Sequence, residues 1–173
     1  MKKIYVFVMT LFIISACMDS SNETTEANVA IVQQYLDAVA NNDYTAMETA
    51  LADNYMGLGP SVGDTTNREN ALASWKWNSE NLYESVVYEF SEILPTTVKE
   101  GPAAGDWVSN WSYLTINYKD GRGPVNLWIN AVYKIENGKI ARSRTFYNEA
   151  DVMAQLGYRI YPPLTVPDTT TNN

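Results

Sequence analysis

The hydrophobic pattern changes period once along this chain, and that change limits the fold more than any other feature. From Val29 to about Tyr83, apolar residues recur every three to four positions; from Ser85 to Tyr147 they alternate. Val29, Val32, Tyr35, Leu36 and Val39 predict a helix over about Glu26–Ala40. Asn41-Asn42-Asp43 breaks it and caps a shorter helix that buries Tyr44, Met47 and Leu51. Asp53–Ser61 reads as an extended piece running into a glycine-rich loop. Thr66-Asn67-Arg68-Glu69 is a capping box, with the Thr66 hydroxyl and the Glu69 carboxylate serving free N–H groups of a helix that reaches about Tyr83. Leu72, Trp75, Ser79 and Leu82 form one stripe of that helix. Four strands follow, over Ser85–Ile93, Asp106–Tyr118, Val125–Ile135 and Lys139–Tyr147. Asn137-Gly138 marks a two-residue hairpin whose turn positions need positive φ. Asn148 caps a last helix, Glu149–Leu156, stopped by Gly157.

Composition narrows the function classes. There are 12 basic and 20 acidic residues, a net charge of −8. Without Lys2 and Lys3, in a segment read below as removed, the charge is −10. Such a chain repels phosphate backbones, so nucleic-acid binding is not expected. Histidine is absent, cysteine occurs once, and no carboxylates cluster at ligand spacing, so neither a metal site nor a cofactor is expected.

The N-terminus reads as an address. Lys2 and Lys3 precede an apolar run, Ile4–Ile14, too short to span a bilayer core of about 30 Å. Ile14-Ser15-Ala16-Cys17 resembles a bacterial lipobox, which implies lipidation of the Cys17 thiol and cleavage before it. Residues 1–16 are then the signal peptide and 17–28 the lipid anchor and tether. A domain is expected over 29–158 and a disordered tail over 159–173. The implied location is the bacterial cell envelope, on a membrane, with the outer membrane favoured.

Three helices followed by a curved antiparallel sheet resemble the nuclear-transport-factor-2-like fold, in its SnoaL-like branch. The resemblance rests on Ile31–Ala52, Asp53-Asn54-Tyr55, Arg68-Glu69-Asn70-Ala71, Asn137-Gly138-Lys139-Ile140 and Gln155-Leu156-Gly157. It implies an α+β cone, three N-terminal helices on a strongly curved, mainly antiparallel sheet, with a pocket between the layers.

Pairing Glu136 with Lys139 sets the faces. Leu127, Ile129, Ala131, Tyr133 and Ile135 share the pocket side with Ile140, Arg142, Arg144 and Phe146. With simple pairing across Lys119–Pro124, Asn110, Ser112, Leu114 and Ile116 join them. Trp107, Trp111 and Tyr113 then join Trp128 and Tyr147 outside; a bulge in that turn would reverse this assignment. An outer patch of Trp111, Tyr113, Trp128 and Tyr147 implies a homodimer through that face.

Enzymes of the resembled family use a carboxylate inside an apolar cone, where burial raises its pKa into the neutral range. The candidate bases are Asp53, Asp64 and Glu89, each of which also reads as a cap, a turn or an exposed residue. Expected ligand contacts are Tyr55, Trp75, Leu114, Ile129, Tyr133, Arg142, Arg144 and Phe146. The two arginines read either as a hook for an anionic group or as partners of surface acids. The sequence therefore favours a non-catalytic binder of a small, partly apolar ligand, anionic if the two arginines serve as its hook, or of a protein partner. The alternative is a SnoaL-type acid–base enzyme acting as isomerase, cyclase or hydrolase on a small hydrophobic substrate.

Overall fold

The computed structural model describes residues 22–159 and Tyr161. The signal segment, Cys17 and the rest of the tail lie outside the described residues. Helix α1 occupies residues 22–40. It therefore extends into the stretch expected to be tether. Helix α2 (Tyr44–Ala50) is capped by the Asp43 carboxylate, which accepts from the Ala46 N–H at 2.9 Å. It buries Met47, while Leu51 passes directly into strand β1 (Leu51–Leu58).

Strand β2 (Thr65–Asn67), not anticipated from the pattern, pairs antiparallel with β1. Holding Thr66 in that ladder moves the cap of α3 (Arg68–Asn81) one residue along. The Asn67 side chain, not the Thr66 hydroxyl, accepts from the Asn70 N–H. The Arg68 guanidinium ties this corner together, contacting Asp53 and both the backbone and side chain of Glu48.

Strands β3 (Tyr83–Val98), β4 (Gly105–Tyr118), β5 (Val125–Glu136) and β6 (Lys139–Tyr147) complete one six-stranded sheet of order β2-β1-β6-β5-β4-β3. The β1–β6 contact is parallel and every other contact antiparallel. The hairpin is as expected, with Asn137 at φ 52° and Gly138 at φ 72°. Register irregularities in β3, β1–β6 and β5–β6 bend the sheet around the helices. Helix α4 (Glu149–Gln155), capped by Asn148, closes one end.

The helix-facing side holds two apolar clusters. The larger joins Val32, Tyr35, Leu36 and Val39 of α1 to Met47, Leu51, Val108, Tyr133, Ile135 and Ile140. The smaller places Val152 of α4 against Leu114, Val125 and Leu127.

Candidate functional site

The β4–β5 turn keeps simple pairing: Leu114 faces Leu127, Ser112 faces Ile129 and Asn110 faces Ala131. Trp111, Tyr113 and Trp128 are thereby placed outside, as expected. The β5–β6 pairing is different. After Ile135–Ile140 the register slips, and Lys134 pairs with Arg142, Tyr133 with Ser143, Val132 with Arg144, Asn130 with Phe146 and Ile129 with Tyr147. Ala141 is the extra residue, and both Ile140 and Ala141 are buried. Arg142, Arg144 and Phe146 consequently lie on the outer side, and Tyr147 moves to the helix-facing side. All four expected positions are corrected by this one bulge. It buries a second apolar side chain and leaves two guanidinium groups in water, avoiding the several kcal/mol that burial of each unpaired charge costs.

What occupies the interior is phenolic. Tyr35, Tyr55 and Tyr133 are buried, Tyr88 packs beside them, and Tyr35 meets Tyr133 edge to face at 6.0 Å between centroids. The Tyr55 hydroxyl shares a hydrogen bond of 2.7 Å with Ser143 Oγ. Deeper in β4, Ser112 Oγ donates to Asn110 Oδ1 at 2.9 Å and bonds Ser91 Oγ at 2.7 Å. Burial pushes the Tyr35, Tyr55, Tyr88 and Tyr133 phenols up from their ordinary value, opposed at Tyr55 by the Ser143 bond. Phenol neighbours add to the rise at Tyr35 and Tyr133, and the Asp37 carboxylate adds to it at Tyr88. Trp75 lies against this cluster, Leu114 in the smaller one, and Ile129 beside that.

No expected base reaches this interior. The Asp53 side chain is 92% exposed and paired with Arg68 at 3.0 Å. Asp64 is exposed in the glycine-rich loop, and Glu89 is the exposed residue at a β3 bulge. Among the described residues no Asp or Glu is buried; the buried polar residues are Asn28, Asn110, Ser112 and Ser143. Glu149, not anticipated from the sequence, stands by the end of β6. Burial first, then the neighbouring Glu149 carboxylate, raises the Tyr147 phenol; at Tyr118, pushed up to about 12, burial comes first, then the Tyr83 phenol, and Glu149 after it. Its sequence signal was position alone, two residues past the last strand. Among the described residues no metal-binding group of side chains occurs, and no helix is long and apolar enough to cross a membrane.

Among the described residues, two grooves outside the cone bear on the expected site. One, of about 360 Å³, runs between α1, α2 and the Asn137-Gly138 turn. The other, of about 240 Å³, lies between the Leu58–Asp64 loop and the end of β6, and brings together Asp64, Arg144 and Phe146. The outer side also carries an aromatic patch: Trp128 is 61% exposed, meets Tyr113 at 5.3 Å and Phe90 at 6.4 Å, and neighbours exposed Trp111.

Structural relatives share this architecture at low identity. A hypothetical protein from Catenulispora acidiphila with a ketosteroid isomerase-like fold, solved in complex with trimethylamine, is 18% identical, covering 75% of this chain and 93% of its own, with a TM-score of 0.58. An LEH-like epoxide hydrolase of M. tuberculosis is 16% identical over 77% of this chain and 91% of its own, TM-score 0.55. An NTF2-like protein from Burkholderia xenovorans is 17% identical over 76% and 97%, TM-score 0.56. At these identities the likeness establishes the fold and leaves the reaction open. No curated protein matches the sequence significantly. The model of the SnoaL-like domain matches residues 32–143, from the middle of α1 into β6, and the chain belongs to that family.

Proposed function

We propose that this protein is a lipid-anchored, non-catalytic binding module of the bacterial cell envelope. Acylated Cys17 holds it on a membrane, and the domain takes a small, partly apolar, anionic ligand or a protein partner. Two copies associate through the outer aromatic side. The observation that carries the non-catalytic reading is the placement of Asp53, Asp64 and Glu89 outside an interior of phenols, hydroxyls and an amide. Phenols held above their ordinary value keep their protons at neutral pH, and serine and asparagine do not titrate there. Among the described residues that interior holds no ionised base at neutral pH.

The anchor and the fold fit one another. Only four residues separate Cys17 from the first described residue of α1. Fully extended, that link reaches about 17 Å, so an acylated chain would carry its domain close to the lipid headgroups. The dimer is supported by the outer patch of exposed Phe90, Trp111 and Trp128 around half-buried Tyr113. Native mass spectrometry of the chain purified from membranes in detergent is expected to show a dimer in which each copy starts at Cys17 and carries acyl mass. Cys17→Ser should remove the acyl mass, and Trp128→Glu should leave monomers. Unmodified monomers from the parent chain would overturn both the anchor and the dimer.

One observation favours a second reading, an acid–base enzyme: Tyr147 lies on the helix-facing side with the Glu149 carboxylate beside it. An epoxide hydrolase is among the structural relatives. Incubation with small epoxides is expected to give no turnover, and Glu149→Gln is expected to change nothing. Turnover that Glu149→Gln lowers by orders of magnitude would establish the enzyme instead.

A further inference from the structure

The groove between the Leu58–Asp64 loop and β6 gathers Asp64, Arg144 and Phe146, which the sequence offered as site candidates and which the proposed function leaves without a role. The parallel pairing of Leu58 with Arg144 brings the loop against the outer end of β6. Two backbone bonds of 3.1 Å, Gly59 N–H to Asp64 C=O and Asp64 N–H to Ser61 C=O, close the loop. Gly59 leaves room for the Asp64 side chain: a Cβ at that position would fall 1.9 Å from Asp64 Oδ2 and would turn the carboxylate away. Its absence lets the Asp64 carboxylate fold back over the loop and line the groove.

Opposite stands Arg144. Among the described residues the guanidinium groups of Arg142 and Arg144 make no ion pair or hydrogen bond, whereas Arg68 and Arg122 each hold a carboxylate. Among the described residues the Asp64 carboxylate also has no ion-pair or hydrogen-bond partner, Arg144 across the groove included. Between the two charges lie Pro60, exposed Val62 and Phe146, which is 52% exposed. An unpaired cation, an unpaired anion and an apolar wall complement a zwitterion with an apolar substituent. A volume of about 240 Å³ is below the range for drug-sized ligands, which limits the occupant to something about the size of one amino acid.

We propose that this groove binds a free apolar α-amino acid. Its carboxylate meets Arg144, its ammonium meets Asp64, and its side chain lies on Phe146 and Val62. The groove is on the far side of the sheet from the phenolic interior, so the proposal stands or falls independently of the non-catalytic reading.

The test is calorimetric titration of the full chain in detergent with L-phenylalanine, phenylacetate and phenethylamine, alongside NMR of the loop and β6. L-Phenylalanine is expected to bind at millimolar concentration and to shift the resonances of Ser61–Asp64 and Phe146. Arg144→Gln should weaken L-phenylalanine and phenylacetate by roughly tenfold or more, the usual loss for a hydrogen bond to a charged group. Asp64→Asn should weaken L-phenylalanine and phenethylamine while leaving phenylacetate unchanged. Both side chains are exposed, so both variants should keep the parent's circular dichroism. No binding at millimolar concentration, or binding indifferent to both substitutions, would overturn the proposal. Loop shifts that appear on concentrating the protein alone would assign the groove to a second copy and overturn it equally.

Discussion

Titrated upward from neutral pH, the folded protein is expected to hold until about pH 10 and then lose stability steeply. The sign follows from the interior phenols. Tyr35, Tyr55 and Tyr133 are buried and their pKa values raised, chiefly because burial disfavours the phenolate. In the unfolded chain each ionises near 10, so above that pH the unfolded state sheds protons that the folded state keeps. The stabilisation is complete below about pH 10 and is lost as pH climbs toward the folded values. A phenol that stays protonated in the folded state lowers stability by about 1.4 kcal/mol per pH unit above 10, and Tyr35 and Tyr133 together by about 3 kcal/mol. Against a total of roughly 5–15 kcal/mol for a domain, about two pH units suffice at the low end of that range. The part of the phenolate absorbance that belongs to the buried tyrosines should appear together with the change in circular dichroism. Full ionisation of all twelve tyrosines with the fold intact would show that the interior is wet.

Ile140→Ala is expected to cost about 3 kcal/mol and to lower Tm by roughly 10 °C. Ile140 is fully buried and sits where three strands meet, opposite Ile135 in β5 and Leu51 in β1. Its neighbours belong to strands fixed by ladders on both sides, so they cannot close over the missing methyl groups. Thermal and urea denaturation would measure the loss. A change under about 1 kcal/mol would mean that the β1–β6 seam repacks, which a close-packed interior resists.

Much of the architecture was legible in the residues. The helix-period stretches, the Asn137-Gly138 hairpin, the caps at Asp43 and Asn148 and the bounds of β6 are local matters, decided by side chains within a few positions. Strand β2 was not legible, because three residues carry too little pattern and are held only by pairing with β1. The site was harder still. Ile140-Ala141 offers two apolar residues in succession, and the alternation alone does not say which of them faces the helices. The bulge buries both and reverses every position that follows. One signal was present: simple alternation would have put Arg142 and Arg144 inside, an arrangement that desolvation opposes.

The order of elements, the helix-facing positions of β4 and β5 and the absence of carboxylates within β4, β5 and β6 past Asp106 and before Glu136 follow from the chain's own pattern, since each depends on neighbours in sequence. Which groups meet was settled in three dimensions. The parallel seam of β1 with β6 and the slip at Ala141 carry Arg144 and Phe146 out to Asp64, and leave the interior to tyrosines from α1, β1, β3 and β5. Pairing between strands far apart in sequence depends on the packing of the whole sheet, which no local run of residues encodes.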